Sequence, residues 1–159
     1  MRTSFIILVA WLMLMVGCSS IDCPLNNTTH ANYRLAGLVT TLVDTLTIST
    51  TTTMGEDSVL INRDVDVDSF ILPMSYTQPQ DVFFVELRDT FGNVTVDQVT
   101  VTKENHPHFE SVDCNPAYFH TITDVAWTTE RIDSIVINNP EVTYDATQPH
   151  FLIYFRPAD

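Results

Sequence analysis

The sequence predicts an all-β protein, a single antiparallel β-sandwich of the immunoglobulin-like kind. Short runs rich in Val, Ile, Leu and Thr are separated by turn residues along most of the chain. No long amphipathic helical pattern interrupts them. Of the 159 residues, the 142 that follow Gly17 are enough for one domain with a hydrophobic core. A closed up-and-down barrel is the alternative arrangement of the same strands.

Nine segments have the composition and alternation of β-strands. In chain order they are Leu35 to Val43, Thr45 to Thr51, Val59 to Asn62, Val65 to Pro73, Asp81 to Asp89, Val94 to Lys103, Phe119 to Thr128, Ile132 to Asn138 and Phe151 to Arg156. The last of them is apolar on both faces, which predicts a buried central strand.

Three local signals refine this prediction. Phe91-Gly92-Asn93 lies between two strand patterns and predicts a hairpin connection. The next strand changes its apolar phase after Val96, so a bulge near Asp97-Gln98 is expected to return its apolar side chains to one face. Asn115 to Phe119 begins with an N-cap residue followed by Pro, which predicts one helical turn.

The N-terminus, Met1 to Gly17, has the organisation of an export signal, with Arg2 before an apolar run of twelve from Phe5 to Val16. Such a run is too short to span a bilayer, which takes about 20 residues. Met15-Val16-Gly17-Cys18 resembles a bacterial lipobox, and the resemblance implies cleavage before Cys18 and acylation of that cysteine. An uncleaved anchor, or a signal cut near Ser19 or Ser20, is the alternative. Residues 18–22 then form a short lipid-anchored tether, and residues 23–159 form the domain.

The charge of the chain argues against two classes of partner. The formal net charge is −13, and it becomes −14 without Met1 to Gly17, which contains Arg2 and no acid. Such a surface repels phosphate backbones, so no nucleic-acid partner is expected. It also repels anionic headgroups, so attachment to a membrane should depend on the acyl chains of the N-terminal lipid.

The chain has three cysteines, Cys18, Cys23 and Cys114. If lipid occupies Cys18, the other two form an even pair in an exported protein, where disulfides are permitted. A Cys23–Cys114 bridge would close a loop of about ninety residues and stabilise the fold by ~4.5 kcal/mol in the chain-entropy model. Two free thiols are the alternative.

Three short triplets resemble the O-glycosylation motif of Bacteroidetes periplasmic proteins. Their acceptor residues would be Thr45, Ser58 and Ser134, each preceded by Asp and followed by an apolar residue. The alternative interpretation is a shared strand start, in which the polar residues close a turn before an apolar strand.

Simpler structural roles are favoured over a metal site, a catalytic site and a ligand-binding platform. His106, His108, Glu110, Asp113, Cys114 and His120 are close in sequence, but Cys114 has a better partner in Cys23 and no metal-binding motif is present. No nucleophile elbow, phosphate loop or dinucleotide motif occurs, so neither enzymatic activity nor a cofactor is expected. Stacking on a sugar is possible for the aromatic residues Tyr33, Tyr76, Trp127 and Tyr144, although such residues more often pack within a sandwich.

Several stretches together are similar to an uncharacterised lipoprotein family of Bacteroidetes, a domain of unknown function. They are Cys23 to Asn27, Leu72 to Tyr76, Pro107 to Cys114 and Asp133 to Asn139. The resemblance implies a small lipid-anchored envelope protein and carries no catalytic residues. We therefore expect a non-catalytic module at the periplasmic face of an outer membrane that binds another envelope or outer-membrane protein. A carbohydrate- or small-ligand-binding lipoprotein is the alternative.

Overall fold

The structure, a computed structural model, describes Cys23, residues 28–51, Gly55 and residues 57–157. The predicted signal and tether, residues 1–22, lie outside this part. The strands are β1 (His30–Ala36), β2 (Thr45–Thr51), β3 (Asp57–Asp64), β4 (Ser69–Pro73), β5 (Gln80–Arg88), β6 (Val94–His108), β7 (Ala117–Trp127), β8 (Ile132–Ile137), β9 (Glu141–Val142) and β10 (Phe151–Phe155). Within the described residues there is no helix, and hence none long and apolar enough to cross a membrane.

The strands form two sheets that share one core, which confirms the all-β prediction and favours the sandwich over the closed barrel. One sheet has the order β4-β1-β10-β8 and the other the order β3-β2-β5-β6-β7-β9. Their buried faces meet in a single hydrophobic cluster. β10 lies inside its sheet, between β1 and β8, as its apolar pattern predicts. The expectation of a wholly antiparallel arrangement is wrong at one place, because β1 and β10 pair in parallel.

The core is built by alternation along the central strands. Phe151, Ile153 and Phe155 of β10 are buried, while the residues between them are only half-buried. Tyr33 of β1 lies between two rings, 4.6 Å from Phe151 and 5.0 Å from Phe70 between ring centroids. Burial of each such large side chain stabilises the fold by about 1.5–3 kcal/mol.

Two predicted strands are shorter than expected because the chain turns within them. β1 ends at Ala36, since Gly37 has a φ of +85° and a Cβ there would lie 2.8 Å from the Tyr154 ring. The chain then crosses between the sheets. Likewise Asp66 has a φ of 55°, so residues 65–68 form a loop and β4 begins only at Ser69.

The predicted bulge near Asp97-Gln98 is absent, and this prediction was wrong. β5 and β6 pair without a register shift from Gln80↔Thr102 to Arg88↔Val94. Val94 and Val96 therefore remain exposed, and Asp97 is the buried residue. The phase change marks a buried carboxylate with a structural role, described below. The predicted hairpin itself is confirmed, with a φ of 92° at Gly92 and the Asp89 side chain accepting from the amide of Phe91.

The predicted helical turn at Asn115 to Phe119 was also wrong. β7 begins at Ala117, which pairs with His108 of β6, so the ladder overrides the local capping signal. The first five residues of β1, His30 to Arg34, and the two-residue strand β9 were not predicted, because neither contains a run of Val, Ile, Leu or Thr.

The connections divide the molecule into two ends. Those that follow β1, β3, β5 and β7 lie at one end, and those that follow β2, β4, β6 and β8 lie at the other. The second end carries the Cys23–Cys114 disulfide and is called the disulfide end. The five arginines of the described chain lie in the opposite half, which is called the arginine end; they are Arg34, Arg63, Arg88, Arg131 and Arg156.

Candidate functional site

A disulfide fastens the start of the domain to the connection between β6 and β7. Cys23 and Cys114 form the predicted pair, with their Cα atoms 5.4 Å apart across 91 residues of sequence. The same connection, residues 109–116, holds two apolar side chains in solvent, since Phe109 is 62% exposed and Val112 is 96% exposed. Cys18, the predicted lipidation site, lies outside the described residues.

A buried ion pair supports the disulfide end. The Lys103 ammonium lies 2.9 Å from a carboxylate oxygen of Asp81, with the two side chains 0% and 7% exposed. Lys103 also donates to the Gln78 carbonyl, and Asp81 accepts from the amide of Ser75. Desolvation raises the pKa of Asp81 even though Lys103 acts in the opposite direction. The pair thus fixes the connection between β4 and β5, residues 74–79.

A neighbouring amide and imidazole extend this support. Asn105 uses its side-chain amide to donate to the carbonyls of Tyr76 and Gln78. Its oxygen must then accept from His120 Nδ1, 2.7 Å away, which leaves His120 Nε2 without a hydrogen. Among the described side chains, that buried Nε2 has no hydrogen-bond partner. Desolvation, followed by the charges of Lys103 and His106, lowers the pKa of His120 to about 4, so the ring is neutral at physiological pH.

A cleft of about 480 Å³ opens beside this fixed connection. Its described lining includes Thr50, Ser75, Tyr76, Gln78 and Asp81, above a floor formed partly by buried apolar side chains. Tyr76 stacks on Tyr118 with 5.2 Å between ring centroids and is still 54% exposed. Stacking covers one face of its ring, and about half of the residue stays exposed. The volume lies in the range of about 300–1,000 Å³ typical of small-molecule sites.

The candidate metal ligands between residues 106 and 120 do not lie together, because the sheet separates them. His106 and His108 lie on the outer face of the six-stranded sheet, whereas His120 is buried on the inner face and Cys114 is in the disulfide. His108 stacks on Phe119 at 4.3 Å and lies 3.3 Å from Glu110. Across the described ranges, no group of His, Cys, Asp and Glu has an arrangement that could hold a metal ion.

One histidine contacts a hydroxyl, but without the geometry of a catalytic triad. His106 Nε2 lies 3.2 Å from Thr121 Oγ1 and 3.8 Å from a Glu104 oxygen. A triad places the nucleophile and the acid on opposite ring nitrogens, whereas here both use the same one. The His106 side chain is also 52% exposed on a sheet face, where nothing excludes water.

The predicted aromatic residues have different environments. Tyr33 is in the core, where burial and then the charge of Asp81 raise the pKa of its hydroxyl. Trp127 is half-buried and donates to the Asp133 carbonyl. Tyr144 is 46% exposed and packs edge-on against Phe119. The aromatic residues therefore form no shared platform, and of the four only Tyr76 lines the cleft.

The predicted glycosylation residues all lie within strands. Thr45 is the first residue of β2, Ser58 is the second of β3 and Ser134 is the third of β8, and all three are half-buried. The acid before Thr45, Asp44, is buried and paired with Arg131 at 2.8 Å. Their positions fit the interpretation of a shared strand start, and their modification stays a prediction.

The arginine end is held by a second buried carboxylate. Asp97 accepts four hydrogen bonds of 2.7–2.9 Å, one from Thr128 Oγ1 and three from the consecutive amides of residues 130–132. These bonds shape the connection between β7 and β8 and place Arg131 against Asp44. No supporting role was predicted from the sequence for either Asp97 or Lys103. The alternation Asp97, Val99, Val101, Lys103 could have placed both on the buried face.

The loops of the arginine end expose four large apolar side chains. Leu38 is 91% exposed, Val43 73%, Val65 57% and Phe91 90%. Leu38 and Val43 lie in the β1–β2 connection, and Val65 lies in the β3–β4 connection. An isolated β-bridge between Leu42 and Val67 joins these two connections. Leu38 and Val43 also line a groove of about 370 Å³ together with Arg131 and Arg156. Apolar residues and arginines on one surface are typical of protein interfaces.

Comparison with curated proteins and comparison with solved structures each gave no match. Comparison with protein families gave one match, which covers residues 45–155, from the second strand to the last. The matched region contains the Lys103–Asp81 pair, the Asp97 hydrogen bonds and Cys114, but not Cys23. The chain belongs to DUF6452, a family of unknown function.

Proposed function

We propose that this chain is a lipid-anchored, non-catalytic protein of a Bacteroidetes cell envelope, with an immunoglobulin-like sandwich that binds another protein. The short apolar signal and the lipobox-like residues before Cys18 support the anchor. The disulfide supports an exported location. The exposed His106–Thr121 contact, which lacks triad geometry, supports a non-catalytic role. The periplasmic face of the outer membrane is the proposed location, and nucleic acid is not a proposed partner because of the charge of −13.

The observation that carries the interaction role is the set of exposed apolar side chains at the arginine end. Exposed hydrophobic residues scattered singly are ordinary, but here Leu38, Val43 and Val65 lie on two connections that the Leu42–Val67 bridge joins, and Phe91 lies on a third connection at the same end. The Asp97 hydrogen bonds fix part of this surface before a partner arrives, which lowers the entropic cost of binding.

The charge of the groove indicates the chemistry of the partner. Its described lining contains Arg131, which is paired with Asp44, and Arg156, whose guanidinium lies 3.8 Å from a carboxylate oxygen of Asp133 at the rim. Arg156 is 48% exposed, so its guanidinium can still reach a partner. We therefore assign to this groove a protein segment that carries a carboxylate beside an apolar side chain.

Binding to the partner tests this role. The tagged full-length chain is isolated from membranes with its bound proteins, and the partner so found is purified and titrated. Leu38→Asp and Arg156→Glu are expected to weaken its affinity at least about tenfold, because the first removes an apolar anchor and the second replaces the exposed guanidinium with a carboxylate. Val136→Asp is the matched control, since Val136 is 47% exposed on β8 away from the groove.

The proposal would be contradicted if Leu38→Asp and Arg156→Glu bound the partner as tightly as the Val136→Asp control does. The anchor is tested separately by metabolic labelling with an acyl probe. Label is expected on the natural chain and not on a Cys18→Ala chain, and undiminished label on Cys18→Ala would show that another residue carries the lipid.

The cleft at the disulfide end favours a second candidate function, the binding of a carbohydrate or another small uncharged ligand. Hydroxyl and amide groups line it, Tyr76 contributes a partly exposed aromatic ring, and the charge of Asp81 is balanced by Lys103. Calorimetric titration with neutral oligosaccharides, in a detergent without a sugar headgroup, tests it. Binding should be lost in Tyr76→Ala and kept in Tyr144→Ala, whereas equal binding by both would exclude this function.

A further inference from the structure

We propose that the connection between β6 and β7 inserts Phe109 and Val112 into the surface of the membrane that holds the lipidated N-terminus. The inference rests on the proposed acylation of Cys18 and names the second surface to which the domain is attached. Its occupant is a lipid bilayer with zwitterionic headgroups.

The short path from the lipid to the connection carries the argument. Cys18 and Cys23 are five residues apart, and an extended chain spans at most about 3.6 Å per residue, or about 18 Å here. The disulfide adds 5.4 Å between the Cα atoms of Cys23 and Cys114. Val112 is two residues before Cys114. The connection is therefore held close to the acyl chains by covalent bonds alone.

The exposed side chains of this connection have the chemistry of a membrane contact. Phe109 and Val112 are 62% and 96% exposed on a segment that follows the long strand β6. Interfacial amphipathic helices bury such aromatic and aliphatic side chains about 5–10 Å into the boundary between headgroups and acyl chains, and a depth of this order would suffice for Phe109 and Val112. Leu38 and Phe91 are as exposed, but the length of β6 separates them from this end by roughly 45 Å, so they cannot reach the same bilayer surface.

The charge of the disulfide end selects the lipid. The half of the described chain at this end contains no arginine, and its lysine, Lys103, is buried. Glu110 and Asp113 lie in the connection itself. Anionic headgroups would be repelled, so insertion should be strongest into zwitterionic lipid.

Fluorescence quenching tests the proposal on the acylated full-length chain. Val112→Cys, and Phe91→Cys as the matched control, are each labelled with an environment-sensitive fluorophore and reconstituted into phosphatidylcholine and phosphatidylethanolamine vesicles. Lipids with a spin label just below the headgroup should quench the Val112→Cys label several-fold more than the Phe91→Cys label. Phe109→Asp, or added phosphatidylglycerol, should reduce the quenching at position 112.

Flotation of the vesicles separates this proposal from the anchor on which it rests. Protein that floats with the vesicles but shows equal quenching at both positions overturns the membrane contact and leaves the anchor standing. Protein that does not float overturns the anchor itself. Stronger quenching in phosphatidylglycerol than in zwitterionic lipid would overturn the assigned lipid chemistry.

Discussion

The two ends of this sandwich are each held by a buried carboxylate, but the carboxylates act differently. At the disulfide end Asp81 pairs with Lys103, and together with Asn105 they hold the β4–β5 connection mainly through its carbonyls. At the arginine end Asp97 holds the β7–β8 connection through backbone amides. The first arrangement is an ion pair within a polar network, and the second is a local cap that needs no cation.

The comparison shows how one strand, β6, supports the surfaces at both ends. Asp97 and Lys103 lie on the same buried face of β6, six residues apart, with Val99 and Val101 between them. Each polar residue marks the place where the core gives way to a connection. The exposed apolar side chains then lie beyond these supports, on Leu38 and Phe91 at one end and on Phe109 and Val112 at the other.

The largest effect is expected from the disulfide, which belongs to one end alone. Cys23→Ser with Cys114→Ser should lower the free energy of unfolding by about 4.5 kcal/mol, since the bridge closes a loop of 91 residues. Urea unfolding with and without reductant measures this. Reductant should have no effect on the double variant, and an unchanged midpoint in the natural chain would contradict the stabilising role.

The buried ion pair should give the next largest effect. Lys103→Met leaves the Asp81 carboxylate buried without its cation and should cost about 4 kcal/mol. Lys103→Met combined with Asp81→Leu should recover most of that loss, because no unpaired charge remains. Denaturant unfolding of the single and double variants measures these free energies. If the losses of the two single variants simply add in the double variant, the two groups do not act as a pair.

Asp97 offers the matching experiment at the arginine end. Asp97→Ala leaves three backbone amides and one hydroxyl without their acceptor and should cost about 3 kcal/mol. Hydrogen exchange should show that residues 130–132 lose protection while the β4–β5 connection keeps its own. Equal loss of protection at both ends would mean that the supports are not independent.

The pH dependence of stability should come mainly from the disulfide end and be the smallest of these effects. The folded pKa of His120 is about 4 against an ordinary 6.5, so its stabilising contribution is present above pH 6.5 and is lost as the pH falls to about 4. The loss is roughly 2–3 kcal/mol. The raised pKa of Asp81 acts in the opposite direction in the acidic part of this range.

A variant tests the contribution of His120. His120→Gln should reduce the dependence of unfolding free energy on pH without abolishing it, because the buried His150, whose pKa desolvation also lowers, remains. An unchanged slope in His120→Gln would assign the acid sensitivity to other residues.

The sequence was a good guide to the strands and a poor guide to what supports the two ends. The apolar runs predicted β2, β5 and the buried β10, because burial follows side-chain alternation. The parallel pairing of β1 with β10 depends on contacts between distant segments and has no local signal. The change of phase at Asp97 is visible in the sequence but predicts a bulge, because a buried carboxylate becomes favourable only with donors from residues 130–132, which are distant in sequence.

The candidate surfaces, too, could be predicted from the sequence only in part. The pairing of Cys23 with Cys114 could be predicted from the number of cysteines and the pattern of an export signal. The exposure of Phe91 and Val112 could not, because apolar residues in a connection can equally turn inward. The separation of His106 and His108 from His120 required the register of β6 and β7.

Photocrosslinking in cells at Phe91 and at Val112 tests the central claim, that the two ends bind different partners, most directly. A photoreactive amino acid at position 91 should give an adduct with the mass of a protein, and the same amino acid at position 112 should give an adduct with the mass of a lipid. A protein adduct at position 112 with none at position 91, or the same adduct at both positions, would contradict the division of roles between the arginine end and the disulfide end.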